Sequence, residues 1–117
     1  MATLVLKLTT VEPEKMSQAL NVCATALASG AGVSLWLTGD AVRLATPGFA
    51  AGIELEQSAP FDQLVDAVRA GGRLTACTQC LGRRNLMQED LFPGVEIRGA
   101  SGFVEEILQP AVQALVY

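Results

Sequence analysis

At 117 residues the chain has the length of one domain and is long enough to bury a core. Half of it is hydrophobic, only 17 % is charged, and the net charge is −4 with no basic cluster beyond Arg83–Arg84. That balance excludes nucleic acid and anionic membrane surfaces as partners, and the lack of any histidine excludes Ser-His-Asp catalysis, Cys-His catalysis and histidine-ligated metal.

In chain order, "TLVLKL" (3 to 8) reads as a buried strand. The helix that follows carries Met16, Leu20, Cys23 and Leu27 at helical spacing. Thr10 is taken as its N-cap and Pro13 as part of its first turn, and Gly30 and Gly32 stop it. "VSLWLT" (33 to 38) is a second apolar strand. Residues 39 to 59 are mostly loop, with "DAVRLA" readable as a short helix. Phe61, Leu64, Val65 and Val68 define a second helix closed by Gly71–Gly72. "RLTAC" is a third strand, followed by a short helix from Thr78 to Arg84. Asn85 stands at C′, where a left-handed conformation is needed and Asn tolerates it. "VEIRGA" (95 to 100) is a fourth strand, "SGFVEEILQP" a helix with Ser101 as N-cap, and "AVQALVY" a fifth strand.

Strands alternating with helices predict an α/β fold, with a parallel or mostly parallel sheet and helices on both faces. All of residues 1 to 117 belong to this single domain. Mean hydropathy is +0.37, so sparse charges must cover much apolar surface, and a homo-oligomer is expected. The longest apolar runs fall short of the ~20 residues that span a bilayer. "MATLVLKLTTVEPEK" lacks a basic start, apolar stretch and cleavage site, so a cytoplasmic protein with reduced thiols is expected.

The chemistry concentrates in "RLTACTQCLGRRNL" (73 to 86). Sites in parallel sheets gather at the carboxyl ends of strands, and Cys77 falls at such an end. The start of a helix favours thiolate over thiol, which makes Cys77 the candidate nucleophile. Cys80 lies one turn on, where it can resolve a mixed disulfide or persulfide. Arg83 and Arg84 add positive potential. Packing alone is the competing account of the pair, since cysteine is a commonly buried residue. Structural zinc wants four ligands, and one CxxC supplies two, so a metal would require subunits to pool their pairs; no cofactor is expected. Cys23 reads as core. Trp36 reads as core or subunit interface, and the pairs Glu89–Asp90 and Glu105–Glu106 as solvated faces. No phosphate-binding glycine motif stands between a strand and a helix.

"ACTQCLGRRNL", "DLFPGVEIRGASGFVEEIL" and the apolar tail together resemble the DsrE/DsrF-like family, and the likeness extends to the first strand and helix and to "TGDAVRLATPG". It implies a three-layer α/β/α sandwich around a five-stranded, mainly parallel sheet, assembled as trimers or hexamers. It also implies a sulfur-relay role, with sulfane sulfur carried as a persulfide on Cys77 between donor and acceptor proteins. Where that family has Gly after the basic doublet, this chain has Asn85. Three functions stay open: a sulfurtransferase-like carrier, a homo-oligomeric small-ligand-binding module without turnover, and a CxxC dithiol redox protein.

Overall fold

Side chains that alternate along the strands divide the core into two parts, one on each face of a single sheet. The computed structural model describes residues 2–117. Its strands are β1 (Thr3–Leu8), β2 (Gly32–Leu37), β3 (Arg73–Cys77), β4 (Glu96–Arg98) and β5 (Val112–Val116). They lie in the order β4-β3-β2-β1-β5, and every neighbouring pair is parallel. The helices are α1 (Pro13–Ala28), α2 (Phe61–Gly71), α3 (Thr78–Arg83) and α4 (Ala100–Ile107).

On one face Leu6, Leu8, Leu35, Leu37, Leu74 and Ala76 meet Met16, Leu20 and Cys23 of α1 and Phe61, Val65 and Val68 of α2. Each fully buried leucine here contributes about 2 kcal/mol of apolar burial. On the other face Val5 and Trp36 meet Phe103 of α4, whose ring stands edge-on to the indole at 5.4 Å. The expected α/β sandwich with a five-stranded sheet is therefore found, and the sheet is parallel throughout. Among the described residues no helix is long and apolar enough to cross a membrane.

Local boundaries differ from expectation at several places, among them Gly32, which begins β2 instead of stopping α1. The N-cap of α1 is Glu12, not Thr10: the Glu12 carboxylate accepts the N–H of Glu14 and of Lys15 at 3.2 and 2.9 Å. Thr10 instead accepts the N–H of Glu12 itself. The cap of α4 is Gly99, and Ser101 lies inside the first turn. β4 covers only Glu96–Arg98 because its partner runs out: Arg98 pairs with Cys77, after which the chain turns into α3.

The segment "DAVRLA" (40 to 45), which allowed a short helix, lies in a 3-10 helix, Gly39–Ala45, with Ala41, Val42, Leu44 and Ala45 all buried. Its packing against β2, β3 and α3 brings residues from the second loop to the start of α3.

Candidate functional site

β2 and β3 run side by side with Leu37 opposite Ala76, so the residues that follow each strand leave the sheet at the same edge. From β2 come Thr38, Gly39 and Asp40; from β3 come Cys77 and α3. Gly39 has φ of +56°, and a Cβ there would stand 2.9 Å from the Thr9 carbonyl oxygen. Only glycine fits this turn. Its amide is thereby aimed at α3, where it donates to Cys80 Sγ at 3.1 Å.

Cys77 ends β3 and is the N-cap of α3, and it is half-buried. Cys80, one turn on, is 7 % exposed. Neither is in a disulfide. The sequence makes Cys77 the more acidic thiol, but the surroundings lower Cys80 and raise Cys77. Burial, and then the hydrogen bond that the Cys77 thiol gives to the Cys80 sulfur, push Cys77 above its ordinary thiol value. The amides of Cys80 and Gln79 pull it down without outweighing them. Burial also acts against the Cys80 anion. There, however, the Cys77 thiol, the Gly39 amide and the charges of Arg83 and Arg84 outweigh it and hold Cys80 below the ordinary value. A six-residue α3 has too little aligned backbone to reverse that order at Cys77.

The basic doublet divides its labour. Arg84 turns back along α3 and donates through Nε and Nη2 to Asp40 Oδ1 at 3.1 and 2.9 Å. Its Nη1 donates to the Cys80 carbonyl at 3.0 Å. Arg83 is exposed and acts on Cys80 through its charge. Asn85 has the predicted left-handed conformation, φ 53°. Asn85 N–H bonds the Gly82 carbonyl and Leu86 N–H the Leu81 carbonyl, the double closure of a Schellman ending.

The structure thus brings Cys77, Cys80 and Arg84 together with two residues the sequence reading missed, Gly39 and Asp40. Their signal was present: a glycine and an acid directly after a strand, at the edge where such folds place their sites. Cys23 is fully buried in the core, as expected. Glu106, read as solvated, is not: its side chain is 12 % exposed, and its Oε2 accepts Trp36 Nε1 and Arg98 Nη1, each at 2.9 Å. Among the described residues no three acidic, cysteine or histidine side chains gather as a metal site would need. A cavity of about 430 Å³ between Ala50 and Asp62 has neither thiol in its lining.

Against known proteins, the model of the DsrE/DsrF-like family matches residues 3–116. No curated protein matches. Among solved structures, the chain is similar to the YchN protein from E. coli, with TM-score 0.80 and 19 % identity over 100 % of both chains. It is similar to MTH1491, a protein of unknown function from Methanobacterium thermoautotrophicum, with TM-score 0.72 and 12 % identity over 100 % of both chains. BT1422 from Bacteroides thetaiotaomicron, also of unknown function, shares TM-score 0.67 and 15 % identity over 98 % of this chain and 94 % of its own. At these identities the structural likeness speaks for the fold alone.

Proposed function

The chain belongs to the DsrE/DsrF-like family, and from that membership we propose that it is a thiol-based sulfur carrier, loaded on Cys77 and served by Cys80. One observation carries the reading: two free cysteines one turn apart at the carboxyl edge of the sheet, the less exposed of them accepting a backbone amide on its sulfur.

The two roles follow from exposure and charge. Cys77 is the sulfur a donor can reach, but it holds its proton. Cys80 gives up its proton more readily than an ordinary thiol, but it is covered. Loading therefore couples them. With Cys80 as thiolate, Cys77 Sγ attacks the outer sulfur of a donor persulfide, its proton passes to Cys80 Sγ, and the donor leaves as a thiolate. The products are a Cys77 persulfide, a Cys80 thiol and the donor thiolate, so atoms and charge balance. Cys80 acts here as a general base: as the new S–S bond forms, Cys77 becomes the more acidic of the two and gives up its proton. Unloading to an acceptor thiolate regenerates the pair. Partners of this reading are a sulfur donor protein, an acceptor protein and further copies of the chain, as a trimer or hexamer.

Incubation with a low-molecular-weight persulfide followed by intact-mass and peptide mass spectrometry tests it. Wild type gains one sulfur on Cys77, Cys77→Ser gains none, and Cys80→Ser loads more slowly at neutral pH. Equal loading of wild type and Cys77→Ser ends the proposal. A second reading, a dithiol redox protein, rests on the two free thiols standing one turn apart at the start of α3. It requires Cys77 and Cys80 to close into a disulfide under mild oxidant, which a redox titration of the pair reads out.

A further inference from the structure

We infer that Asp40 and Arg84 form a clasp that holds Cys80 Sγ on the Gly39 amide, and that this clasp, rather than bulk positive charge, sets the environment of that sulfur. The inference deepens the proposed site but does not need the cargo to be sulfane sulfur, since it concerns the resting pair.

Three contacts close a short ring. Gly39 N–H donates to Cys80 Sγ at 3.1 Å. Asp40, the next residue, accepts both Nε and Nη2 of Arg84 on one oxygen. Arg84 Nη1 donates to the carbonyl of Cys80 itself, at 3.0 Å. One guanidinium thus grips the residue beside the amide donor and the backbone of the sulfur acceptor. Its fork fixes the angle between the 3-10 segment and α3 in a way a single ammonium cannot. The turn at Gly39 is held from its other side, where Thr38 N–H bonds the Leu8 carbonyl and Ala41 N–H the Thr38 carbonyl. With the amide fixed on one side and α3 pulled toward it on the other, the N–H···S contact is set by the clasp.

The charged and titrating groups that bear on Cys80 are few. Arg83 and Arg84 lie on its own helix and Cys77 at the end of β3. Asp40 and Arg43 are the charges of the packed 3-10 segment. If charge alone governed Cys80, Asp40 would oppose its anion and Arg83 would favour it at least as much as Arg84. The clasp makes the opposite forecast for Asp40: losing that negative charge makes Cys80 less acidic, because α3 is no longer drawn onto the amide.

The test is residue-resolved titration of the cysteine Cβ chemical shift by NMR, on the full chain, reduced, with no sulfur donor present. Asp40 is 59 % exposed, so Asp40→Asn keeps the fold, checked by its melting curve. The expected result is a rise in the Cys80 midpoint, leaving about fivefold less Cys80 thiolate at a fixed pH below it, the scale of one ordinary hydrogen bond. Arg84→Lys, which keeps the charge and loses the fork, shifts it the same way, and Arg83→Gln shifts it less than Arg84→Gln does. A fall or no change in Asp40→Asn overturns the inference, as does an Arg84→Lys that titrates like wild type. Failure of persulfide loading with these shifts intact would sink the carrier reading and leave the clasp standing.

Discussion

Three cysteines of one chain meet three electrostatic environments, and each forecasts its own chemistry. Cys23 has no polar partner: burial alone raises it from the ordinary thiol value of 9.0 to about 12. Its folded pKa is raised, so its stabilising effect is complete below pH 9.0 and is lost as pH climbs toward about 12. In that window the unfolded chain releases a proton the folded chain keeps. Stability then falls by up to ~1.4 kcal/mol per pH unit from this one group. Urea unfolding of wild type and Cys23→Ala across the window checks it. The variant starts lower by about 1 kcal/mol, the cost of a small cavity, but declines less steeply with pH. Parallel slopes would refute the assignment. Of the site itself, Cys77 and Cys80 were legible because their spacing and their place after an apolar strand are local facts. Which of them is the more acidic was not. That depends on Gly39, 41 positions from Cys80, and on Asp40, 44 positions from Arg84, contacts that exist only once β2 lies beside β3.

At the scale of elements, the strands and helices were readable wherever their pattern is self-contained, and their ends wherever one residue had no rival. Asn85 is such an end, the left-handed residue that closes α3. Thr10 and Glu12 were rivals for one cap, and only the geometry shows that the carboxylate reaches two amides. The ending of α3 has a consequence for stability. A β-carbon in the left-handed region costs roughly 1 kcal/mol, which Asn offsets in part and Gly avoids. Asn85→Ala is therefore expected to lower the urea midpoint by the equivalent of about 1 kcal/mol at unchanged m, and Asn85→Gly to leave it level or slightly raised. Leu81 is buried and Leu86 packs against the same core, so the ending also holds α3 down on its strand. Asn85→Ala unfolding like Asn85→Gly would show that the left-handed turn contributes nothing.

At the scale of the molecule, the two faces of the sheet are unequally covered. α1 and α2 close one face over the large cluster, whereas α4, eight residues long, serves the other. α4 is tied down by Glu106, which reaches Trp36 on β2, Arg98 on β4 and, at 3.9 Å, Arg73 on β3. A Cβ at position 102 would stand 2.7 Å from Arg98 Nε, so Gly102 is what lets that guanidinium pass close beside the helix. None of this was legible from the pair of acids at 105 and 106, because the meaning of Glu106 comes from three strands that are distant in sequence. The outer side of α4 is left apolar: Val104 and Leu108, one turn apart, are exposed, Leu108 by 75 %. Leu115 and Val116 on the edge strand β5 are exposed as well, Val116 by 64 %. An unpaired edge strand and an apolar helix stripe on a small, thinly charged domain are surfaces that further copies of the chain would cover. Sedimentation at micromolar concentration is therefore expected to give a multiple of the 12.3 kDa chain mass, three- or sixfold. Leu108→Lys is expected to shift that distribution toward smaller species while the melting curve stays cooperative, because the side chain has little of its own fold to lose. Wild type sedimenting as a monomer would rule out self-association as the cover for this face.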